Sequence, residues 1–143
     1  MSGDDRPSAA ESRREAMLWL AIVDEDIDVA RAAANLPTPR LGAAAYHLQQ
    51  AAEKLVKALL VLAGEPFRRT HDLDDLVTQL APRYPAWRDT LDSFRSMTPW
   101  GIAFRYPGLE DEPEPRPSRE EIERTADRLA AFAIQVGDTI GRD

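Results

Sequence analysis

The sequence contains no cysteine, and only two histidines and two lysines occur among its 143 residues. The absence of cysteine excludes disulfides and thiolate metal sites, and two histidines are too few for a zinc site, so we expect neither metal nor cofactor. No apolar run reaches the length of roughly eighteen residues that suggests a membrane span. The polar start of the chain lacks the apolar stretch of a signal peptide. These absences predict a soluble, cytoplasmic protein.

The length suits a single domain, because 143 residues is close to the commonest domain size. The formal net charge of −7 argues against general affinity for nucleic acid, which depends on neutralising phosphates with cations. The charge is unevenly distributed, since residues 40–71 carry +3 and the remainder −10. A local anion site is therefore compatible with the composition.

Apolar residues recur at steps of three and four in two long segments, which predicts two amphipathic helices. In the first helix, which should end near Asn35, the stripe consists of Ala16, Leu20, Val23, Ile27, Ala30 and Ala34. The second helix should run from about 40 to 63, with the stripe Leu41, Ala44, Leu48, Ala51, Leu55, Ala58 and Leu62. Pro37 and Pro39 separate the two helices, and Gly64 and Pro66 should end the second.

The second half of the chain predicts shorter elements and one more long helix. Asp72 can cap a short helix that Pro82 ends, and a further helix is expected from Ala86 to Met97. Residues 98–117 contain five prolines and should be irregular. Ser118 and Glu121 form a capping box before the seam Ile122, Ala126, Leu129, Ala133, Val136 and Ile140.

These elements predict an all-α fold, an up-and-down helical bundle of four main helices plus a short extra helix. Residues 1–11 are polar and are expected to be a disordered N-terminus, which leaves 12–143 as the domain. The heptad-like seams could serve either the core or a dimer interface, because periodicity does not distinguish the two.

A polar stripe on the second helix is the most distinctive local feature. It comprises His47, Gln50, Lys54 and Lys57, which are neighbours on a helix surface, and Gln49 and Glu53 adjoin it. In one interpretation Glu53 and Lys57 form a solvated ion pair that contributes about 0.2–0.5 kcal/mol. In the other, the adjacent amides of the two glutamines and both lysines serve a partner or ligand.

Three motifs in order resemble the HEPN family. They are Gln-Gln-Ala-Ala-Glu-Lys-x-x-Lys-Ala-Leu from residue 49, Arg-Thr-His-Asp-Leu from residue 69, and Arg105-Tyr106-Pro107. The resemblance covers nearly the whole chain and implies a compact, usually homodimeric helical bundle. It also implies an association with nucleotide or RNA chemistry, often beside a minimal nucleotidyltransferase in a toxin–antitoxin-like system.

The chain departs from the catalytic pattern of many members of that family. The toxin ribonucleases of the family use an Arg followed four to six residues later by His, but no histidine follows Arg105. The resemblance also suggests Tyr106 as a target for modification by a nucleotidyltransferase, although the Arg-x-x-x-x-His-x-Tyr context of that event is absent.

Three functional interpretations remain open from the sequence. The leading one is a binding or regulatory module whose ligand- or partner-binding residues are Gln49, Gln50, Glu53, Lys54, Lys57, Arg105 and Tyr106. An alternative is a ribonuclease in which Arg105 stabilises phosphate charge and His71 transfers a proton. The third is a structural dimer that has no ligand.

Overall fold

The computed structural model describes residues 6–66, 70, 72–101 and 116–141, and in these residues the fold is all-α. Five α-helices are present: α1 (Ala9–Ala34), α2 (Leu41–Leu62), α3 (Leu73–Leu80), α4 (Arg88–Ser93) and α5 (Arg119–Gly141). Three short 3-10 helices, Ala81–Arg83, Pro85–Trp87 and Phe94–Gly101, flank α4. The predicted fold class is confirmed.

Helix α1 begins earlier than the predicted domain boundary at residue 12. Its first residue is Ala9, and the hydroxyl of Ser8 accepts a hydrogen bond from the backbone N–H of Glu11 at 3.1 Å. Residues 9–11 are therefore helical, because an N-cap serine satisfies an amide that the first turn leaves unpaired. Residues 1–5 of the expected disordered segment lie outside the described residues.

Helix α2 is the central element of the fold, since it packs against α1, α3, α5 and the Phe94–Gly101 helix. It ends at Leu62, and the predicted terminator Gly64 follows with φ of +71°, a conformation that glycine adopts without a Cβ clash. The amide of Glu65 donates to Leu60 O at 2.9 Å and that of Gly64 to Val61 O at 3.0 Å. This is a Schellman C-cap, and it satisfies carbonyls that the last turn leaves free.

The apolar seams of α1 and α5, which periodicity left open between core and dimer interface, form part of the core. All six residues of each seam are buried, and the two helices pack against each other as well as against α2. Helix α5 begins at the predicted cap, where the Ser118 hydroxyl accepts from the Glu121 amide at 3.1 Å. Burying these side chains removes apolar surface from water, which is the main stabilising contribution in such a bundle.

The single helix predicted over Ala86–Met97 is wrong in its details. The α-helical part is limited to Arg88–Ser93, and 3-10 helix continues to Gly101, four residues into the segment that was expected to be irregular. Pro85 and Pro99 remove backbone donors, and the hydroxyls of Ser93 and Ser96 bond to the carbonyls of Thr90 and Ser93. Both effects favour the tighter, shorter helical turns.

Candidate functional site

The polar side of α2 is much less exposed than the sequence pattern predicted. Gln49 and Glu53 are each 2% exposed and Lys57 is 9% exposed, because neighbouring elements cover this helix on almost every side. His47, Gln50 and Lys54 are only half-buried. We call these three residues the α2 strip, and they are the part of the predicted stripe that solvent reaches most readily.

The carboxylate of Asp26 on α1 bonds to two of the three residues of the α2 strip. Its Oδ1 lies 3.0 Å from Nδ1 of His47, and its Oδ2 lies 2.7 Å from Nζ of Lys54. Since a carboxylate only accepts, Nδ1 of His47 carries the proton in this hydrogen bond. Both carboxylate oxygens thus accept a hydrogen bond, and the side chains of His47 and Lys54 are held in fixed positions between α1 and α2.

Asp26 is not among the site residues predicted from the sequence, although the sequence carries a signal for it. Asp26 occupies a position between Val23 and Ile27 on the buried side of α1, and it is 8% exposed. A carboxylate at a position of the buried apolar stripe rarely lacks a partner. The position of Asp26 alone therefore predicts a cation on the facing helix. Lys54 is that cation.

The two adjacent glutamines have different roles. Nε2 of Gln50 donates to Oε1 of Gln49 at 2.8 Å. The buried Gln49 amide therefore orients the half-buried Gln50 amide. Gly101 packs directly on Gln49, since a Cβ at residue 101 would lie 3.0 Å from Cδ and Oε1 of Gln49. Gln49 therefore contacts the Phe94–Gly101 helix, whereas Gln50 presents its amide at the strip.

Glu53 and Lys57 form the predicted ion pair, but the solvated interpretation of that pair is wrong. Nζ of Lys57 donates to Oε2 of Glu53 at 3.2 Å, and both side chains are buried. The same ammonium lies 5.8 Å from the centre of the Trp19 ring. A desolvated ammonium between a carboxylate and an indole face is held more firmly than a surface lysine, so Lys57 and Glu53 tie α1 to α2.

Three predicted site residues, Arg105, Tyr106 and His71, lie outside the described residues. Arg68 and Arg69, from the positively charged range 40–71, also lie outside them. The structure therefore brings together six side chains of the predicted stripe on α2, with Asp26 added from α1.

Both lysines of α2 lie beside carboxylates. Lys54 faces Asp26 and Lys57 faces Glu53, so the α2 strip offers directed hydrogen bonds from an amide, an imidazole and an ammonium. Within the described residues the ammonium of the strip is balanced by a carboxylate, whereas sequence-independent binding to the phosphate backbone depends on unbalanced positive charge. Such a strip is suited to recognising a defined group.

Comparison with known proteins gives one finding. A family model described as HEPN domain matches residues 16–136. No curated protein matches the chain, and no solved structure matches it. Within the described ranges, none of the helices combines the length and the apolar character that crossing a membrane requires.

Proposed function

The chain belongs to the HEPN domain family, and from this premise we propose that it is a non-catalytic binding module that engages its ligand or partner through the α2 strip. Family membership supports an association with nucleotides or RNA. The observation that carries the proposal is the arrangement of His47, Gln50 and Lys54 around the buried carboxylate of Asp26. Preorganised polar groups at a solvent-facing edge lose little entropy on binding, which favours a specific contact.

The partner that this proposal assigns is a minimal nucleotidyltransferase in a toxin–antitoxin-like system, with Arg105 and Tyr106 adding to the contact. The pairing of Lys54 with Asp26 supports a structured partner or a nucleotide over random RNA, because an ammonium that a carboxylate already balances adds little to binding of a phosphate backbone. The absence of a histidine after Arg105 supports binding without catalysis.

We also propose a homodimer that forms through α1. Apolar side chains on its outer face are exposed, among them Leu18 at 68%, Ile22 at 39% and Val29 at 45%. Arg14 and Glu25 are exposed on the same face, on either side of Leu18 and Ile22. In an antiparallel pair of α1 helices, Arg14 of one copy lies opposite Glu25 of the other, and two-fold symmetry repeats that ion pair.

The binding proposal is tested by fluorescence anisotropy with a short labelled RNA of mixed sequence, and by co-purification with a co-expressed minimal nucleotidyltransferase. Gln50→Ala and Lys54→Gln should weaken one of these interactions about tenfold, which corresponds to ~1.4 kcal/mol. Both substitutions leave the buried pair of Glu53 and Lys57 in place.

The matched control is Gln135→Ala, because Gln135 is an exposed glutamine on α5, away from the strip. It should leave both interactions unchanged. Equal binding by the wild type and both strip variants would refute the role of the strip. Cleavage of the RNA that is lost in Arg105→Ala and His71→Ala would instead support the ribonuclease interpretation.

A further inference from the structure

A second candidate site lies on the other side of the Phe94–Gly101 helix, between that helix and α5. It is a pocket with a volume of about 250 Å³. Three buried apolar residues, Phe94, Met97 and Leu129, line it. Trp100, which is half-buried, also lines it. An apolar floor with an accessible indole suits a flat ring system, since stacking on an aromatic side chain contributes to binding of any base.

The polar lining of this pocket consists almost entirely of hydrogen-bond acceptors. The hydroxyls of Ser93, Ser96 and Thr125 already donate to the carbonyls of Thr90, Ser93 and Glu121, at 2.5, 3.2 and 2.8 Å. Their oxygens can therefore only accept from a ligand. The Glu121 carboxylate also only accepts, so the ligand must supply several N–H donors.

The Arg128 guanidinium supplies donors that complement these acceptors, in addition to the indole N–H of Trp100. Arg128 lines the pocket and, within the part of the chain that the structure describes, it forms no ion pair. Glu121, Thr125 and Arg128 are spaced i, i+4 and i+7 on α5, so they lie on one side of the helix. Glu121 and Arg128 are about 10 Å apart along the axis. A purine ring can lie between the tips of two such side chains.

We propose that this pocket binds a guanine base, either of a free guanosine nucleotide or of RNA. The inference rests on the proposed association with nucleotides or RNA and names the base. Guanine presents adjacent donors at N1 and N2, which a carboxylate accepts together, and acceptors at O6 and N7, which arginine contacts in pairs. Adenine has an acceptor at N1, and this nitrogen would face the Glu121 carboxylate unfavourably.

The base selectivity of the wild-type chain provides the first test, because it needs no variant. Affinities for GMP, IMP and AMP are measured by isothermal titration calorimetry. We expect GMP to bind about tenfold more tightly than IMP, which lacks the N2 amine, and more tightly still than AMP. GMP binding no tighter than AMP binding would overturn the proposal.

Two substitutions with matched controls locate the site. Glu121→Gln and Arg128→Gln should each weaken GMP binding about tenfold, whereas Glu120→Gln and Arg124→Gln on exposed positions of the same helix should not. Thermal unfolding of all four variants shows that α5 remains folded. GMP affinity that is unchanged by both pocket substitutions would place the nucleotide elsewhere and overturn the proposal.

The source of the base is distinguished with RNA probes that contain or lack guanine. A preference for the guanine-containing probe identifies RNA, and equal binding together with tight GMP binding identifies the free nucleotide. RNA or partner binding that depends on Gln50 but not on Glu121, together with no detectable GMP binding, would overturn the guanine pocket but not the binding role of the α2 strip. Absence of any RNA, nucleotide or partner binding would overturn both.

Discussion

The two lysines of α2 show how much the environment of a residue decides its role. Lys54 is 21% exposed in its side chain and reaches the rim of the fold, whereas the Lys57 side chain is 11% exposed beneath Trp19. An ammonium that is taken out of water needs a close carboxylate, because removing one partner of a buried pair leaves the other charge uncompensated. Lys57 is therefore a residue of the core, although its residue type suggests the surface.

Replacing Lys57 with methionine should lower the free energy of unfolding by about 3 kcal/mol. The apolar stem of the side chain is retained, but the Glu53 carboxylate stays buried with less positive charge beside it. Urea denaturation measures the effect, and Arg88→Met is the control, because the ion pair of Arg88 with Asp92 is exposed and its loss should have a much smaller effect. The double variant Glu53→Gln/Lys57→Met should lose less free energy of unfolding than the sum of the single changes. Equal losses for Lys57→Met and Arg88→Met would contradict the core role of Lys57.

At the scale of elements, the short helices after α3 depend on side chains to hold them in place. Nη1 of Arg95 donates to Oδ1 of Asp74 at 2.6 Å and to Oγ1 of Thr78 at 2.7 Å, which ties the Phe94–Gly101 helix to α3. The hydrogen bond to Asp74 raises the pKa of the Arg95 guanidinium above its ordinary value. Arg95 thus helps to position the Phe94–Gly101 helix, which forms one wall of the proposed guanine pocket. Helix α5 forms the opposite wall.

Aromatic packing joins the same region to α5 and α2. Tyr84 stacks on Trp87 with ring centres 5.4 Å apart, and Trp87 meets Phe132 edge-on at 5.1 Å. The Tyr84 hydroxyl donates to Leu59 O at 3.5 Å. Burial raises the pKa of the Tyr84 phenol above its ordinary value of 10.0, and the nearby charge of Arg83 opposes part of that rise.

Stability at alkaline pH should therefore depend on Tyr84. Because its pKa is higher in the folded state, its contribution is fully present below about pH 10 and is lost as the pH rises through the folded-state pKa. Urea denaturation between about pH 8 and pH 11 should show a steeper fall in the free energy of unfolding for the wild type than for Tyr84→Phe. The difference between the two proteins should be constant near pH 8, where the phenol is neutral in both states. Parallel curves over the whole range would refute this assignment.

At the scale of the molecule, the bundle leaves several large apolar side chains exposed on α1 and one, Ile134, on α5. Single exposed apolar residues are ordinary, but Leu18, Ile22 and Val29 follow one side of a helix, and the opposite charges of Arg14 and Glu25 flank the first two. This arrangement supports the proposed homodimer through α1.

The substitution Leu18→Lys should shift the protein toward the monomer, because it places a charge at the centre of the proposed α1 pair. Sedimentation velocity over a range of concentrations measures the change, with a rise in the dissociation constant of at least about tenfold. Ile134→Lys is the matched control, since Ile134 is an equally exposed apolar residue on another helix, at 65%. A wild type that is monomeric at every concentration, or equal dissociation of both variants, would contradict the α1 interface.

Local sequence patterns specify the three long helices and their apolar seams. The stripe from Ala16 to Ala34, the cap at Ser118 and the end of α2 before Gly64 depend on periodicity and on local backbone chemistry, which neighbours in the chain specify. Packing between helices places Asp26 in the site, covers Gln49 and Lys57, and forms the pocket beside Trp100. Helical spacing places side chains on a common face of one helix, but it carries no information about which other element covers that face. The segment from Pro85 to Gly101 was mispredicted for a related reason, since its form depends on prolines, on serine hydroxyls and on the anchoring of Arg95 to α3.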